Sequence, residues 1–156
     1  MRSKKFERIL YHEAGHATLS YLLSVGIKEI SAKEGCAYVS NYEPEGINLN
    51  SVDPYKGVSR EEIKKRIKIL IVGQIAEEIK FGDFDGNRSD DKKALDLATY
   101  LHHKRINTIL KELKKSAREL IKSNWSLVES IAEIIENKKL SGEEFYNFIK
   151  EVRNDG

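Results

Sequence analysis

The segment HEAGH, residues 12–16, combines two histidines and a glutamate at a spacing that suits metal chemistry. Residues four apart on an α-helix lie one above the other, so His12 and His16 can direct two imidazoles at one ion. Glu13 projects about 100° away from His12, close enough to reach a water molecule without binding the ion itself. Imidazoles suit Zn²⁺, and a carboxylate can then accept the proton of a water that attacks a carbonyl. The segment therefore predicts a zinc site with Glu13 as general base.

The alternative is a buried helix whose two histidines bind no metal and are satisfied by other hydrogen bonds. Apolar residues lie nearly all round residues 4–25, which predicts a buried helix that Gly26 ends. Two stacked histidines with a glutamate between them would be costly to bury without a ligand. The metal site is therefore favoured, and Gly15 inside the motif leaves room for another backbone to approach.

The third protein ligand is less well defined, because no histidine follows His16 at a suitable distance. Two pairs of carboxylates compete for this position. Glu77 and Glu78 end one predicted helix, and Asp90 and Asp91 begin the next.

A helical wheel separates the two aspartates. The apolar stripe of the helix that begins at Ser89 comprises Ala94, Leu97, Ala98 and Leu101. Asp90 lies about 30° from the centre of this stripe and Asp91 about 70°. Asp90 therefore points more directly toward the core, although an aspartate at a helix start is also common without a ligand role. His102 and His103 lie too far along the helix to share a metal with Asp90, so we expect them on the surface.

The composition describes one soluble globular domain over residues 1–156, with 40% hydrophobic and 33% charged residues. A net charge of +2 predicts no nucleic-acid partner. The longest apolar run, residues 69–72, is far shorter than the ~20 residues that cross a bilayer, so we expect no direct membrane insertion. The single cysteine, Cys36, and the charged N-terminus without a signal peptide favour a cytoplasmic location.

The remaining patterns predict a mostly α-helical fold with one small β-sheet, of the α+β class. Two β-like runs lie at about 27–42, and a loop with both prolines follows them. Capping boxes at Ser59 and Ser141 predict the starts of two further helices. The helix that begins at Ser59 is ended by FGDFDG (81–86), and the helix that begins at Ser141 ends near Val152.

Residues 87–138 contain neither glycine nor proline, so the sequence hides the helix breaks in this region. We expect a bend near residues 103–105. The expected organisation is a metal-site core with the small sheet over residues 1–104, followed by C-terminal helices over 105–156.

Three segments, taken in order, resemble the peptidase domain of the FtsH-type zinc proteases, the membrane-bound AAA+ proteases. ILYHEAGHATLSYLL (9–23) resembles the active-site helix of that family. VGQIAEEIKFGDFDGNRSDDKKALDLA (72–98) resembles its A-E-E pair, Phe-Gly and G-x-S-N-D motif. NWSLVESIAEIIENKKLSGEEFYNFI (124–149) resembles its closing segment with a Leu-x-Gly-Glu-Glu signature.

The resemblance implies a zinc metallopeptidase with His12, His16 and Asp90 as ligands and Glu13 as catalytic base. Asp90 ends the stretch Gly86-Asn87-Arg88-Ser89-Asp90, which matches the motif that holds the family's aspartate ligand. Glu77 and Glu78 match the A-E-E pair, for which a supporting role is implied. The family's substrate adds as a strand beside the active-site sheet, and residues 36–42 match that edge.

Four features depart from the family pattern. The chain has no G-x-x-x-x-G-K-[ST] loop, so we expect no ATPase motor, and we also expect no N-terminal membrane helices of the family's kind. The region after Asp90 is much shorter, and Arg88 replaces a small serine. We therefore expect a peptide or an unfolded protein as substrate, with a homo-oligomer or a separate ATPase as partner.

Two alternatives remain. One is a zinc-binding interaction module that acts on a larger protease with little turnover, against which the intact Glu13 argues. The other is a fragment of a longer AAA+ chain, against which Met1 and the internal shortening argue.

Overall fold

The computed structural model describes residues 3–85, 89–101 and 104–154. In these ranges it is mostly helical with one small antiparallel sheet, which confirms the expected α+β class. The helices are α1 (Lys4–Leu22), α2 (Arg60–Phe81), α3 (Asp90–Thr99), α4 (Ile106–Ser123), α5 (Trp125–Ile135) and α6 (Gly142–Asn154). The strands are β1 (Ile27–Lys33), β2 (Cys36–Asn41) and β3 (Lys139–Ser141). None of the described helices is long and apolar enough to cross a membrane.

Helix α1 is the buried centre of the fold and packs against α2, α5 and the sheet. Every residue from Leu10 to Ser20 is buried, as the apolar pattern predicted. The predicted end at residue 25 was wrong, because α1 ends at Leu22. Ser24 adopts a left-handed φ of 58°, and the Val25 N–H donates to the Ser20 carbonyl at 2.8 Å. This Schellman-type closure ends the helix before Gly26 is reached.

Helices α1 and α2 approach each other closely at Gly15, as the sequence predicted. A Cβ atom at this position would lie 2.8 Å from the Ala76 Cβ and 3.2 Å from the Val72 carbonyl oxygen. Both distances are shorter than a normal van der Waals contact between such atoms. The close crossing therefore requires a residue without a side chain at position 15. This crossing sets the distance between α2 and the histidines of α1.

The predicted capping box at Ser141 has both of its hydrogen bonds, whereas at Ser59 the structure shows the serine half and the Glu62 carboxylate pairs with Arg66. The Ser59 hydroxyl accepts the N–H of Glu62 at 3.2 Å, and α2 runs from Arg60 to its left-handed end at Gly82. Ser141 and Glu144 cap each other's backbone N–H at 3.1 Å and begin α6, which ends at Asn154 rather than near Val152.

The sheet has the strand order β2-β1-β3, so β2 forms one of its edges. Strand β1 pairs antiparallel with both neighbours, with Ile30 opposite Val39 on one side and Leu140 on the other. Strand β3 was not predicted, and it lies in the region expected to hold only helices. Three residues are too few for a strand pattern, and the pairing with β1 gives this segment its conformation.

The helical region after residue 89 contains two breaks. Helix α3 ends at Thr99 and α4 begins at Ile106, and this interruption brackets the expected bend near residues 103–105. His102 and His103 lie outside the described residues. A second break at Asn124 separates α4 from α5, and no glycine or proline marks it.

A valine at position 15 should destabilise the fold, because its side chain cannot fit between α1 and α2. We expect Gly15→Val to lower the free energy of unfolding by about 2–3 kcal/mol, as for overpacked cores. Urea denaturation followed by circular dichroism measures this change. The control is Lys115→Val on the exposed face of α4, which should cost less than about 1 kcal/mol. Equal effects of the two substitutions would contradict the tight crossing.

Candidate metal centre

The two histidines of HEAGH form one buried pair, with ring centroids 4.6 Å apart. The Nδ1–H of His12 donates to the Glu77 carboxylate at 2.6 Å, and the Nδ1–H of His16 donates to the Ile69 carbonyl oxygen at 2.6 Å. Because a carboxylate and a carbonyl oxygen only accept hydrogen bonds, the protons are assigned to Nδ1 of both rings. Nε2 of both rings lies near Asp90 Oδ2 and can bind a cation in place of a proton, with the Nδ1 hydrogen bonds fixing both ring orientations.

Asp90 reaches the same point from the first residue of α3. Its Oδ2 atom lies 3.0 Å from Nε2 of His12 and 3.2 Å from Nε2 of His16. Tetrahedral zinc with bonds of about 2.0–2.1 Å holds its nitrogen and oxygen ligands about 3.3 Å apart. The three atoms are all lone-pair donors, and their separations match those of ligands that share one ion. The described residues therefore fit a zinc ion held by His12, His16 and Asp90.

The pKa of the Asp90 carboxyl lies well below its usual range. Partial burial raises this pKa, but hydrogen bonds that protonated Nε2 atoms of His12 and His16 donate when no cation is bound, together with the charge of the rings, outweigh the burial. The carboxyl therefore stays ionised beside the two imidazoles and contributes a full negative charge toward a bound cation.

Gly73 of α2 forms the wall behind the two rings. A Cβ atom at this position would lie 2.6 Å from Nε2 of His12 and 2.6 Å from Nε2 of His16. Any side chain here would therefore compete with the two ligand atoms for space. The sequence pattern did not single out Gly73, although a glycine in the middle of an apolar helix was the available signal.

Glu13 belongs to the same cluster as the two histidines. Its carboxylate is buried, with 6% of the residue exposed, and lies within 4.8 Å of the ligand nitrogens of His12 and His16. Its carboxylate also lines the cleft described below, where a molecule beside a bound ion would lie, and Asp90 is the carboxylate with measured ligand-like distances to both Nε2 atoms. The structure thus brings together all four residues that the sequence singled out.

The two glutamates of the A-E-E pair have separate environments. Glu77 is fully buried and accepts the hydrogen bond of His12, so it orients a ligand rather than replacing Asp90. Glu78 is partly exposed and pairs with Arg118 at 3.0 Å. Gly86, Asn87 and Arg88, which precede Asp90 in the motif, lie outside the described residues.

The site opens into a cleft of about 460 Å³. Edge strand β2 forms one wall through Ala37, Tyr38 and Val39, and α2 and α3 form the other. The Tyr38 hydroxyl donates to Glu29, and this hydrogen bond raises the pKa of Tyr38. Glu13, His12 and His16 line the floor of the cleft, so a molecule that enters it can reach the cluster.

The comparisons with known proteins point to one group of relatives. The chain is 25% identical to an ATP-dependent zinc metalloprotease FtsH of Syntrophobacter fumaroxidans, over 98% of this chain and 30% of the relative. It is 34% identical to FtsH 2 of a Thermoanaerobacter species over 56% of this chain and 17% of the relative. It is 35% identical to FtsH of Thermotoga maritima over 62% of this chain and 16% of the relative.

These similarities are weak and cover only part of each relative. The chain spans less than a third of the length of the three relatives. The first alignment runs over 199 positions against the 156 residues of this chain, so that relative has residues without a counterpart here. No family model matches the chain. The comparisons therefore establish a distant similarity to FtsH zinc metalloproteases.

Alanine at position 73 should prevent normal metal binding, because its Cβ would displace both imidazoles. We expect Gly73→Ala to weaken zinc affinity at least about tenfold, with the helical content retained. Competition with a chromogenic chelator measures the affinity, and circular dichroism measures the helical content. Glu61→Ala, at the exposed start of the same helix, is the control and should bind zinc as the wild type does. Unchanged affinity in Gly73→Ala would contradict the placement of the two Nε2 atoms.

Proposed function

We propose that this chain is a zinc-dependent peptidase that hydrolyses peptide bonds in flexible or unfolded polypeptides. The observation that carries the proposal is the position of Glu13, whose carboxylate lines the open cleft beside His12, His16 and Asp90. A structural zinc site is closed by its protein ligands and needs no such base. Three protein ligands with a further carboxylate in an open cleft are typical of a hydrolytic zinc site.

Each residue of the cluster has a separate role in the proposed reaction. Bound zinc would lower the pKa of a water molecule to about 7 and polarise the scissile carbonyl. Glu13 would accept the proton of the attacking water on its carboxylate and return it to the nitrogen of the departing amine. Glu77 and the Ile69 carbonyl would hold His12 and His16 in the tautomer whose Nε2 lone pair can bind the ion.

The edge strand β2 suits an extended substrate. Its one described strand neighbour is β1, and Ala37, Tyr38 and Val39 face the cleft that contains the cluster. An extended peptide that pairs with β2 would be held by backbone hydrogen bonds, which are largely independent of sequence. Folded proteins seldom present such a strand, so flexible or unfolded segments are the proposed substrates.

The partner is a further part of the proposal. The similar proteins are named as ATP-dependent, whereas this chain carries no phosphate-binding loop of the G-x-x-x-x-G-K-[ST] type. We therefore propose that an ATPase outside these 156 residues unfolds the substrates, and self-association of this chain is the other proposed assembly. The cytoplasm, inferred from the cysteine content, is the proposed location.

Glu13→Gln should separate metal binding from turnover. The amide keeps the size of the side chain but cannot accept the proton, so we expect zinc content as in the wild type and cleavage of casein reduced at least about 100-fold. Metal analysis of the purified protein and release of peptides from casein measure the two quantities. The matched control is Glu78→Gln, since Glu78 is a partly exposed glutamate next to Glu77. This variant should keep both the zinc content and the cleavage rate of the wild type. Full cleavage by Glu13→Gln would remove this residue from the mechanism.

Asp90→Ala should lose the metal, because two imidazoles without the carboxylate provide too few ligands. We expect less than stoichiometric zinc after dialysis, and no cleavage. Asp96→Ala, an exposed aspartate on the same helix, is the control and should bind one zinc per chain. If Asp90→Ala retains its zinc, the ligand set is wrong.

The zinc content and casein cleavage of the wild-type protein decide between the peptidase and the interaction module. One zinc per chain with cleavage of casein supports the peptidase. One zinc without cleavage under any condition, including addition of an ATPase partner, would replace the peptidase with a zinc-binding interaction module. No zinc at all would contradict both functions.

A further inference from the structure

The start of α3 must be held in place if Asp90 is to stay near the two histidines. Ser89, the residue before this helix, makes no side-chain capping hydrogen bond among the described residues. Within α3 itself, only Ala94 and Ala98 are buried. A helix start without a cap frays easily, and two small apolar side chains provide little anchoring. Another contact is therefore needed to hold the helix start in place.

Gln74 of α2 provides such a contact. Its side chain is buried, with 7% of the residue exposed, and it directly follows Gly73 behind the imidazoles. With the amide nitrogen facing α3, Gln74 donates to Oδ1 and to Oδ2 of Asp91, at 3.2 Å each. The hydrogen-bonding pattern selects this orientation, since the opposite one would place the amide oxygen against the carboxylate.

The two consecutive aspartates at the start of α3 therefore have different partners. Asp90 points to Nε2 of His12 and His16, and Asp91 accepts from Gln74. Successive residues of a helix share one rigid backbone, so a bond that fixes the Asp91 side chain also restricts the position of Asp90. Asp91 is exposed, and exposed carboxylates are usually mobile. The hydrogen bond from the buried amide of Gln74 restricts the position of the Asp91 side chain.

We propose that Gln74 and Asp91 form a positioning pair that holds Asp90 at the metal site. The inference rests on the proposed function, because it concerns the ligand geometry of that site. The hydrogen bonds described for Gln74 are to Asp91, so its effect on the metal passes through Asp91 and the backbone of α3. Loss of the pair should weaken metal binding while leaving all three ligands in the chain.

Four variants and a control test the pair. They are Gln74→Met, which keeps the length of the side chain without the amide, Asp91→Ala, Asp91→Asn, the double variant Gln74→Met/Asp91→Ala, and the control Asp96→Ala. Each is compared with the wild type for zinc affinity by chelator competition, for the visible absorption of the Co²⁺ form, and for the melting temperature without metal.

We expect Gln74→Met and Asp91→Ala each to weaken zinc affinity about tenfold and to alter the Co²⁺ spectrum. The double variant should be no weaker than either single one, because both substitutions remove the same hydrogen bond. Asp91→Asn keeps an acceptor oxygen for Gln74 and should remain within about threefold of the wild type. Asp96→Ala should match the wild type in every measurement.

Three results would overturn the inference. Zinc affinity within about twofold of wild type in Gln74→Met, with a lower melting temperature of the metal-free protein, would reduce Gln74 to a packing role. Equal losses in Asp91→Asn and Asp91→Ala would assign the effect to the charge of Asp91 instead of the hydrogen bond. Both results leave the proposed function intact. A wild-type protein that binds no zinc would overturn the proposed function and the positioning pair together.

Discussion

The close crossing of α1 and α2 is the constraint on which the rest of the structure depends. Gly15 allows α2 to approach α1, and Gly73 allows the imidazoles of α1 to lie against α2 without a side chain between them. The same approach brings Glu77 and the Ile69 carbonyl within hydrogen-bonding distance of the two rings. A wider crossing would break both hydrogen bonds at Nδ1 of two buried imidazoles, which is costly in a protein interior. The packing of the core and the chemistry of the site are thus set by the same contact.

The sequence was sufficient to predict the elements that carry strong local signals. The spacing in HEAGH predicted two imidazoles on one helix face, and two capping-box patterns predicted helix starts. Both kinds of signal depend on residues three or four apart in the sequence. Asp90 was favoured over Asp91 by a helical wheel, and the structure places it beside the histidines. In each case the deciding interaction lies within a turn or two of the helix.

Features that depend on distant contacts could not be predicted in the same way. The Ile69 carbonyl that orients His16 is a backbone atom, and every residue carries one. Strand β3 exists because β1 lies beside it, and the break at Asn124 has no glycine or proline to mark it. Helix α1 ends in a turn at Ser24, a residue type that seldom takes a left-handed conformation. Gly26, two positions later, therefore predicted the wrong helix end.

The ligands come from parts of the chain that are far apart in sequence. His12 and Asp90 are separated by 78 residues, and the chain between the two helices that carry them contains β1, β2, a loop and α2. A cation held by both would act as a cross-link, and closing so long a loop removes much of the freedom of the unfolded chain. The folded population would then rise with the concentration of free zinc, by RT ln(1 + [Zn²⁺]/Kd). Supply of the metal would thereby govern how long the chain survives in a cell, independently of whether any substrate is present.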